Sequence, residues 1–280
     1  MRIKERLSEF TNLKRGLLAT NFYNMETLQG VLQAAAENND PIILQLTQSS
    51  IDYMGLETAV KLGREGLKHY GVEGYLHLDH GGSVELAQRC LDAGFDSVMI
   101  DGSELPLEEN IRITREVVKR AESYNAHVEA ELGYVAKLGQ DHGAQGFTQP
   151  DEARSFVEAT GVDALAIAIG TAHGFYKKTP KLDIELLSRI HRITPATLVL
   201  HGSSGVPEEQ IKEAICNGIC KVNLATEIKN IFMKTLQHTL AENEEIDLRK
   251  VFPVATAEIT KLVKNKLRIV KNEMPCPDLL

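Results

Sequence analysis

Three histidines in this chain, His80, His173 and His201, are each followed at once by glycine, and each closes a short apolar run. Neutral imidazole is the commonest side-chain ligand of metals, and three imidazoles with one open position make a catalytic zinc site. Buried strands that end in imidazole and then glycine indicate one shared rim where the three rings meet. The pattern therefore predicts a metal site at that rim. The other six histidines lack this context, and we expect His77 to pack in the core.

The elements that must position these histidines alternate along the whole chain. Short apolar runs, typical of strands buried on both faces, are separated by longer amphipathic stretches typical of helices. Eight such runs predict strands at Leu17–Thr20, Ile42–Leu46, Tyr75–Asp79, Ser97–Asp101, His127–Glu131, Ala164–Ile169, Thr197–Leu200 and Cys220–Leu224.

The stretches between the runs predict helices, several of which are bounded by glycine or proline. Eight strand–helix units in 280 residues predict an α/β fold, a (β/α)8 TIM barrel, with an open doubly wound sheet as the alternative. We expect a single TIM-barrel domain over residues 1–280 with a C-terminal helical extension at Thr256–Val270. Predicted helices include Glu26–Asn38, Val84–Ala93, Leu107–Tyr124, Pro150–Thr160 and Pro207–Asn217.

Composition and charge restrict the class of partner. The net charge of −8 argues against a nucleic-acid-binding surface, which would need a basic face. No apolar stretch is long enough to cross a bilayer, and the polar amino terminus does not resemble a secretory signal. We therefore expect a cytoplasmic protein with no membrane or nucleic-acid partner. The four cysteines form no CxxC pair, so we expect free thiols in the core.

Further polar residues fall at the predicted carboxyl ends of the strands, where TIM barrels place their active sites. Asp79, Asp101 and Glu131 end strands three, four and five. Two small-residue loops, His201–Gly205 and Asn223–Thr226, precede helices after strands seven and eight, where backbone amides can hold phosphate. Asn223 and Thr226 are also common helix caps, so the second loop is open to either interpretation.

Six motifs, in order, resemble the class II, metal-dependent ketose-bisphosphate aldolases, a family that includes fructose- and tagatose-bisphosphate aldolases. The motifs are His77-Leu-Asp-His-Gly81, Met99-Ile-Asp-Gly-Ser103, Val128-Glu-Ala-Glu-Leu-Gly133, Gly170-Thr-Ala-His-Gly174, Leu200-His-Gly-Ser-Ser204 and Lys221-Val-Asn-Leu-Ala-Thr226. The resemblance covers most of the chain.

The resemblance implies a role for each matching residue. His80, His173 and His201 would hold Zn²⁺, Asp79 would be the acid/base, and Asp101 and Glu131 match positions that hold a second or displaced metal. A monovalent cation can lie nearby, and such enzymes are commonly homo-oligomers, either dimers or tetramers. The residues that would bind dihydroxyacetone phosphate are Gly174, Gly202, Ser203, Ser204, Asn223, Leu224, Ala225 and Thr226.

The implied reaction is reversible aldol cleavage of a ketose 1-phosphate or 1,6-bisphosphate to dihydroxyacetone phosphate and an aldehyde, by default glyceraldehyde 3-phosphate. A Lewis-acidic zinc stabilises the enediolate that this reaction requires, so no lysine Schiff base is needed. Asp79 would take the C4 hydroxyl proton in cleavage and return it in condensation.

Two departures from the family pattern concern the proton shuttle and the aldehyde half. Gly139 occupies the position of the family's loop glutamate, which leaves Asp141 and His142 as candidate replacements. Thr256 aligns with the arginine that binds the distal phosphate, and Thr47, with Gln45 nearby, lies where the family has an aldehyde-contacting serine. The sequence therefore leaves open both the identity of the aldehyde and the configuration of the ketose at C4. The alternative function is a catalytically weakened sugar-phosphate-binding barrel or a subunit of an aldolase assembly.

Overall fold

A closed barrel of eight parallel strands forms the centre of the molecule. This computed structural model describes residues 1–133, 136–137, 146–176, 178–273 and 276. Both β2 and β10 pair with β1, so the sheet closes on itself, which confirms the TIM barrel and excludes the open sheet. The barrel strands are β1 (Leu17–Asn21), β2 (Ile42–Thr47), β3 (Gly74–Gly81), β4 (Ser97–Ile100), β5 (His127–Leu132), β7 (Ala164–Ile167), β9 (Thr197–Leu200) and β10 (Ile219–Leu224).

Two further strands form a separate parallel pair. Strand β6 (Ala136–Lys137) pairs with β8 (Ala172–His173), which brings the segment after β5 next to the segment that carries His173. All eight predicted strands are present, each within two residues of its predicted ends. The extra pair was not predicted, because two-residue strands carry no periodic signal.

Helices surround the barrel. Their apolar faces pack on the outer surface of the strands, so strand residues such as Ile42, Leu44 and Leu46 are fully buried. The helices are α1 (Ile3–Asn12), α2 (Met25–Asn38), α3 (Gln48–Met54), α4 (Leu56–Tyr70), α5 (Val84–Asp92), α6 (Leu107–Ala121), α7 (Pro150–Thr160), α8 (Ile184–Ile193), α9 (Glu208–Cys216), α10 (Thr226–Glu242) and α11 (Leu248–Lys271), with a 3₁₀ turn at Glu122–Tyr124.

The C-terminal helical extension is longer than predicted. Helix α11 begins at Leu248 rather than Thr256, because Asp247 caps it by accepting from the Arg249 amide, and it continues through Pro253. It packs against α2, where the Thr260 hydroxyl donates to the Gly30 carbonyl at 3.2 Å. The absence of a side chain at Gly30 permits this close approach.

The expectation of four free thiols is wrong for one pair. Cys216, at the end of α9, forms a disulfide with Cys276, whereas Cys90 and Cys220 are free and buried. The two bonded cysteines are 60 residues apart in sequence, so only the packing of the chain end against α9 brings their Cα atoms to 5.4 Å. Among the described residues, no helix is long and apolar enough to cross a membrane.

Candidate metal centre and active site

The three predicted histidine ligands meet at the carboxyl ends of the strands. His80 lies in β3, His173 in β8 and His201 directly after β9. The ring centroid of His80 is 4.9 Å from that of His173 and 4.8 Å from that of His201. Glu131 of β5 joins them, and one ligand atom from each of the four side chains lies within 4.8 Å of all the others. This donor set suits zinc.

Backbone irregularity directs His80 into this group. Its φ is +50°, and the pairing of β3 with β4 shifts register between Leu78 and Gly81. Such left-handed backbone costs a non-glycine residue about 1–2 kcal/mol, and a bulge of this kind re-aims side chains at a barrel rim. A Cβ on Gly81 would collide with the Met99 carbonyl oxygen, so this glycine is required for close packing. Gly174 and Gly202 instead have φ of +103° and +66°.

His201 supplies the clearest evidence that the group fits a cation. Its Nδ1 lies 3.0 Å from Glu131 Oε2, yet neither atom has a hydrogen-bond partner of acceptable geometry, and both are buried. Its Nε2 lies 2.9 Å from Glu129 Oε1, so Nε2 carries the proton and Nδ1 presents a lone pair. Two facing acceptor atoms would repel each other unless a proton or a metal ion lies between them, so the residues can hold a metal ion in place of that proton.

A second carboxylate orients His80. Asp101 Oδ2 lies 2.7 Å from His80 Nδ1, and Asp101 Oδ1 accepts hydrogen bonds from the amide and hydroxyl of Ser103. Burial would raise the pKa of Asp101, but the contacts with His80 and Ser103 hold that pKa far below its usual range. His80 Nε2 is therefore the atom that remains for a metal. Asp101 itself lies outside the four-residue donor group.

The surroundings of His173 determine its charge state. Burial, together with the neighbouring His201 and His80, lowers the pKa of His173 to about 3. Its imidazole is therefore neutral at physiological pH, which is the form that binds a metal.

Asp79 lies beside the donor group in a network of amides. Its Oδ2 accepts from Asn21 Nδ2 at 3.0 Å, and its Oδ1 accepts from Gln45 Nε2 at 3.2 Å and from Asn223 Nδ2 at 3.4 Å. Oδ1 is also 3.9 Å from His80 Nε2. Burial would raise the pKa of Asp79, but the nearby positive charges and the Asn21 hydrogen bond keep it below its ordinary value. An ionised Asp79 can therefore act as a base next to the metal site.

Asn21 and Gln45 were not predicted as partners of Asp79. Asn21 is the last residue of the strand Leu17–Asn21, and Gln45 lies two residues before the end of Ile42–Thr47. That signal was present in the sequence, but it does not state which strand ends face one another. The amide oxygens of Asn21, Gln45 and Asn223 are buried without partners, so three hydrogen-bond acceptors lie close to the acid/base group.

The predicted phosphate loop after β9 is held by its own side chains. Ser203 Oγ donates to the Asn223 carbonyl, and Ser204 Oγ accepts from the Glu227 amide at 3.4 Å. Glu227 in turn accepts from the Gly205 amide at 2.7 Å and from Lys266 Nζ. These contacts fix the backbone conformation of the loop over residues 202–205, in which Gly202 has a φ of +66°.

Tyr176 ties this loop to the strand that carries His173. Its hydroxyl accepts from the Ala172 amide at 2.7 Å and donates to the Gly202 carbonyl at 2.8 Å. Sequence reasoning missed Tyr176, because an aromatic residue in a loop gives no indication of its partner. Through the Tyr176 hydroxyl, the predicted phosphate loop is therefore hydrogen-bonded to the strand that carries His173.

The segment Asn223–Thr226 does not cap the helix that follows it. Helix α10 begins at Thr226 with Ala225 in the capping position and no side-chain cap. Asn223 instead bonds to Asp79, and Leu224 is buried in β10. Gly174, Ala225 and Thr226 lie at the same end of the barrel as the donor group. Ala225 therefore supplies no side-chain cap to α10, and the Glu227 amide in the first turn donates instead to Ser204 Oγ.

The structure does not bring together the residues that were predicted for the aldehyde half and for the second proton transfer. Thr47 caps α3, with its hydroxyl accepting from the Ser50 amide at 3.3 Å. Thr256 lies on α11 and lines a groove between α2 and α11. Gly139, Asp141 and His142 lie outside the described residues.

Fold and site together define a TIM-barrel protein with a group of three histidines and a carboxylate that could hold a metal ion at the carboxyl ends of its strands. The family model described as "Fructose-bisphosphate aldolase class-II" matches residues 1–274, and the chain belongs to that family. It is an aldolase, a carbon–carbon lyase.

Two solved structures show the same similarity. The YdjI aldolase from Escherichia coli K12 is 30% identical over 98% of both chains, with a TM-score of 0.86. The fructose-bisphosphate aldolase Fba from Campylobacter jejuni is 22% identical, covers 96% of this chain and 94% of its own, and has a TM-score of 0.82. At that identity, the second likeness supports the fold alone.

Proposed function

We propose that this protein is a zinc-dependent aldolase that reversibly cleaves a ketose 1-phosphate or 1,6-bisphosphate into dihydroxyacetone phosphate and an aldehyde. The observation that carries the proposal is the pair of unpartnered atoms, His201 Nδ1 and Glu131 Oε2, which face each other within the donor group. We assign His80, His173 and His201 as the zinc ligands, with Glu131 and Asp101 available to a second or displaced metal.

Zinc at this place would supply the Lewis acidity that stabilises negative charge on the dihydroxyacetone phosphate half when the C3–C4 bond breaks. Asp79 accepts the proton of the C4 hydroxyl in cleavage, and it returns that proton to the aldehyde oxygen in condensation. The amides of Asn21, Gln45 and Asn223 hold its carboxylate in place, so it needs no reorganisation during the transfer.

Phosphate of the dihydroxyacetone phosphate half would bind the backbone amides of two segments. These are Gly202–Ser204 and Asn223–Thr226, with Gly174 opposite and a monovalent cation nearby. Helix N-termini favour anions because their first amides and the helix dipole both face the ligand. The overall negative charge of the chain is compatible with this, since binding depends on a few local groups.

The aldehyde half is less determined. Glyceraldehyde 3-phosphate is the default product, but Thr256 and Thr47 replace groups that the family uses for this half, so a non-phosphorylated aldehyde is included in the proposal.

Asp141 and His142 are the candidates for the second proton transfer. Loss of solvent exchange of the dihydroxyacetone phosphate proton in either Asp141→Ala or His142→Ala would identify the base, whereas undiminished exchange in both would remove them.

A panel assay tests the proposed reaction. Purified protein is incubated with ketose 1-phosphates and 1,6-bisphosphates of fructose and tagatose configuration, and dihydroxyacetone phosphate is measured with a coupled dehydrogenase. We expect release that is abolished by chelator and restored by Zn²⁺. If no ketose phosphate gives metal-dependent release while several still raise Tm, the alternative of a sugar-phosphate-binding barrel or an assembly subunit replaces this proposal.

We also propose a homo-oligomer, either a dimer or a tetramer, of one cytoplasmic aldolase domain. The support is a series of large apolar side chains exposed along α10, α11 and their connection, of which Ile246 is 91% exposed. The others are Met233, Leu240, Leu248 and Val254. Light scattering after size exclusion should give a mass of at least twice 31.0 kDa, and a mass of one chain would contradict it.

A further inference from the structure

A buried ion pair lies directly beneath the donor group. Glu129 Oε2 is 2.7 Å from Lys221 Nζ, while Glu129 Oε1 is 2.9 Å from His201 Nε2. Glu129 and His201 are fully buried, and Lys221 is 1% exposed. Both charges therefore lie inside the barrel, where closely packed apolar side chains are the usual content.

A contribution to the stability of the fold does not explain why this ion pair is buried. Removing a carboxylate and an ammonium from water has a large penalty, and a buried ion pair repays that penalty only with excellent geometry. Replacing such a pair by apolar side chains of similar volume is often neutral or stabilising. A charged pair retained in contact with a metal-site histidine therefore points to a role at that histidine.

We propose that Glu129 and Lys221 are positioning residues that hold His201 in the tautomer and orientation required for metal binding. This inference rests on the proposed zinc site. Glu129 accepts the Nε2 proton of His201, which leaves Nδ1 as the only ring nitrogen with a lone pair. That is the atom that faces Glu131 at 3.0 Å. Asp101 does the opposite for His80, accepting at Nδ1 and leaving Nε2.

Lys221 keeps the carboxylate of Glu129 in position through an ion pair. The carboxylate divides its two oxygens between His201 and Lys221, so its plane is fixed at both ends. A neutral partner at this place would give no charge to keep Glu129 ionised in a buried setting. Burial would raise the pKa of Glu129, but Lys221 and the contacts with His77 and His201 together hold it well below its ordinary value.

A chain of hydrogen bonds fixes Lys221 from below. Its Nζ lies 3.4 Å from His77 Nε2, His77 Nδ1 lies 2.8 Å from Ser97 Oγ, and Ser97 Oγ lies 3.3 Å from His127 Nδ1. One arrangement of protons satisfies every contact: Lys221 donates to His77, His77 to Ser97, and Ser97 to His127. Burial lowers the pKa of His77 to about 3, so it is neutral and can accept from the ammonium.

The test measures zinc affinity rather than activity. The full chain is stripped of metal and titrated with Zn²⁺ against a competing chelator, and the visible spectrum of the Co²⁺-loaded protein reports the ligand geometry. Glu129→Gln keeps the size of the side chain, but the amide can accept from only one of its two donor partners. We expect the zinc Kd to rise by about 10- to 100-fold and the Co²⁺ bands to shift.

A second variant covers the case in which Glu129→Gln does not fold. The double variant Glu129→Gln/Lys221→Met removes both charges at nearly constant volume, so its Tm should remain close to that of the wild type. Its zinc Kd should still rise by at least about tenfold, because a neutral amide that Lys221 no longer holds is a weaker and less fixed acceptor for His201.

Asp40→Asn is the matched control. Asp40 is 9% exposed and forms an ion pair with Arg15 at 3.1 Å, but it contacts neither the donor group nor Asp79. This variant should lower Tm and leave the zinc Kd and the Co²⁺ spectrum unchanged.

The outcomes separate the two proposals. A wild-type chain that binds no stoichiometric Zn²⁺ refutes the proposed zinc site and with it this inference. A wild-type chain that binds Zn²⁺, together with folded Glu129 variants of unchanged Kd and Co²⁺ spectrum, overturns the positioning role alone.

Discussion

Adding one methyl group at Gly202 tests whether the phosphate loop and the metal site are packed as one unit. Gly202 has φ of +66°, and a Cβ there would lie 2.5 Å from the carbonyl oxygen of Ala172, the residue before His173. Gly71 provides the matched comparison, since its φ is +65° and a Cβ there would meet nothing within 4 Å. The two substitutions to alanine share the backbone strain and differ in the collision.

The magnitudes follow from that difference. An alanine in left-handed backbone costs about 1–2 kcal/mol, and the loss of freedom in the unfolded chain offsets about 0.4–1 kcal/mol of it. Collision with backbone that must shift adds about 1–3 kcal/mol. At about 2.1 cal/mol/K of unfolding entropy per residue, each kcal/mol lowers the Tm of this chain by about 2 °C. We therefore expect a Tm decrease of about 0–3 °C for Gly71→Ala and about 2–9 °C for Gly202→Ala.

Differential scanning calorimetry measures the Tm of each variant, and a zinc titration measures its zinc affinity. In Gly202→Ala, movement of Ala172 displaces the adjacent His173, so the zinc Kd should rise by about tenfold, or about 1.4 kcal/mol. Gly71→Ala should leave zinc affinity unchanged. Equal Tm decreases in the two variants, or a folded Gly202→Ala with wild-type zinc affinity, would refute the packing argument.

Three other perturbations have definite expected results. Asp79→Asn should retain zinc, measured by atomic absorption, and lose about 10²- to 10⁴-fold in kcat, since general acid–base groups contribute that much; loss of zinc would contradict its assigned role. Burial lowers the pKa of His127 to about 4, against about 6.5 when unfolded. Between pH 6.5 and pH 4, therefore, only the unfolded chain gains this proton, and the free energy of unfolding decreases by about 3 kcal/mol as the pH is lowered. In urea titrations, His127→Gln should make this decrease smaller. Dithiothreitol should lower the Tm of oxidised protein by about 3–7 °C through loss of the Cys216–Cys276 disulfide, and Cys276→Ser should be insensitive to it.

The strands were predictable because both faces of a barrel strand are buried. The run Ala164–Ile169 is apolar throughout, Ile42–Leu46 is apolar except for Gln45, and each is separated from the next run by an amphipathic stretch. Helix ends were less predictable, since they depend on single capping contacts. The cap at Asp247 extends α11 by eight residues beyond its predicted start at Thr256.

The sequence by itself determined the fold class, the family and which three histidines meet at one end of the barrel. Those properties depend on residue type and on position relative to the strands, which periodicity and local motifs record. The tertiary structure alone decided which oxygen faces which nitrogen. His201 is held by Glu129, 72 residues away, and Glu129 by Lys221, 92 residues away, and Asp101 lies at His80 Nδ1 outside the donor group. Contacts between distant strand ends depend on the register of barrel closure, and no local pattern encodes that register.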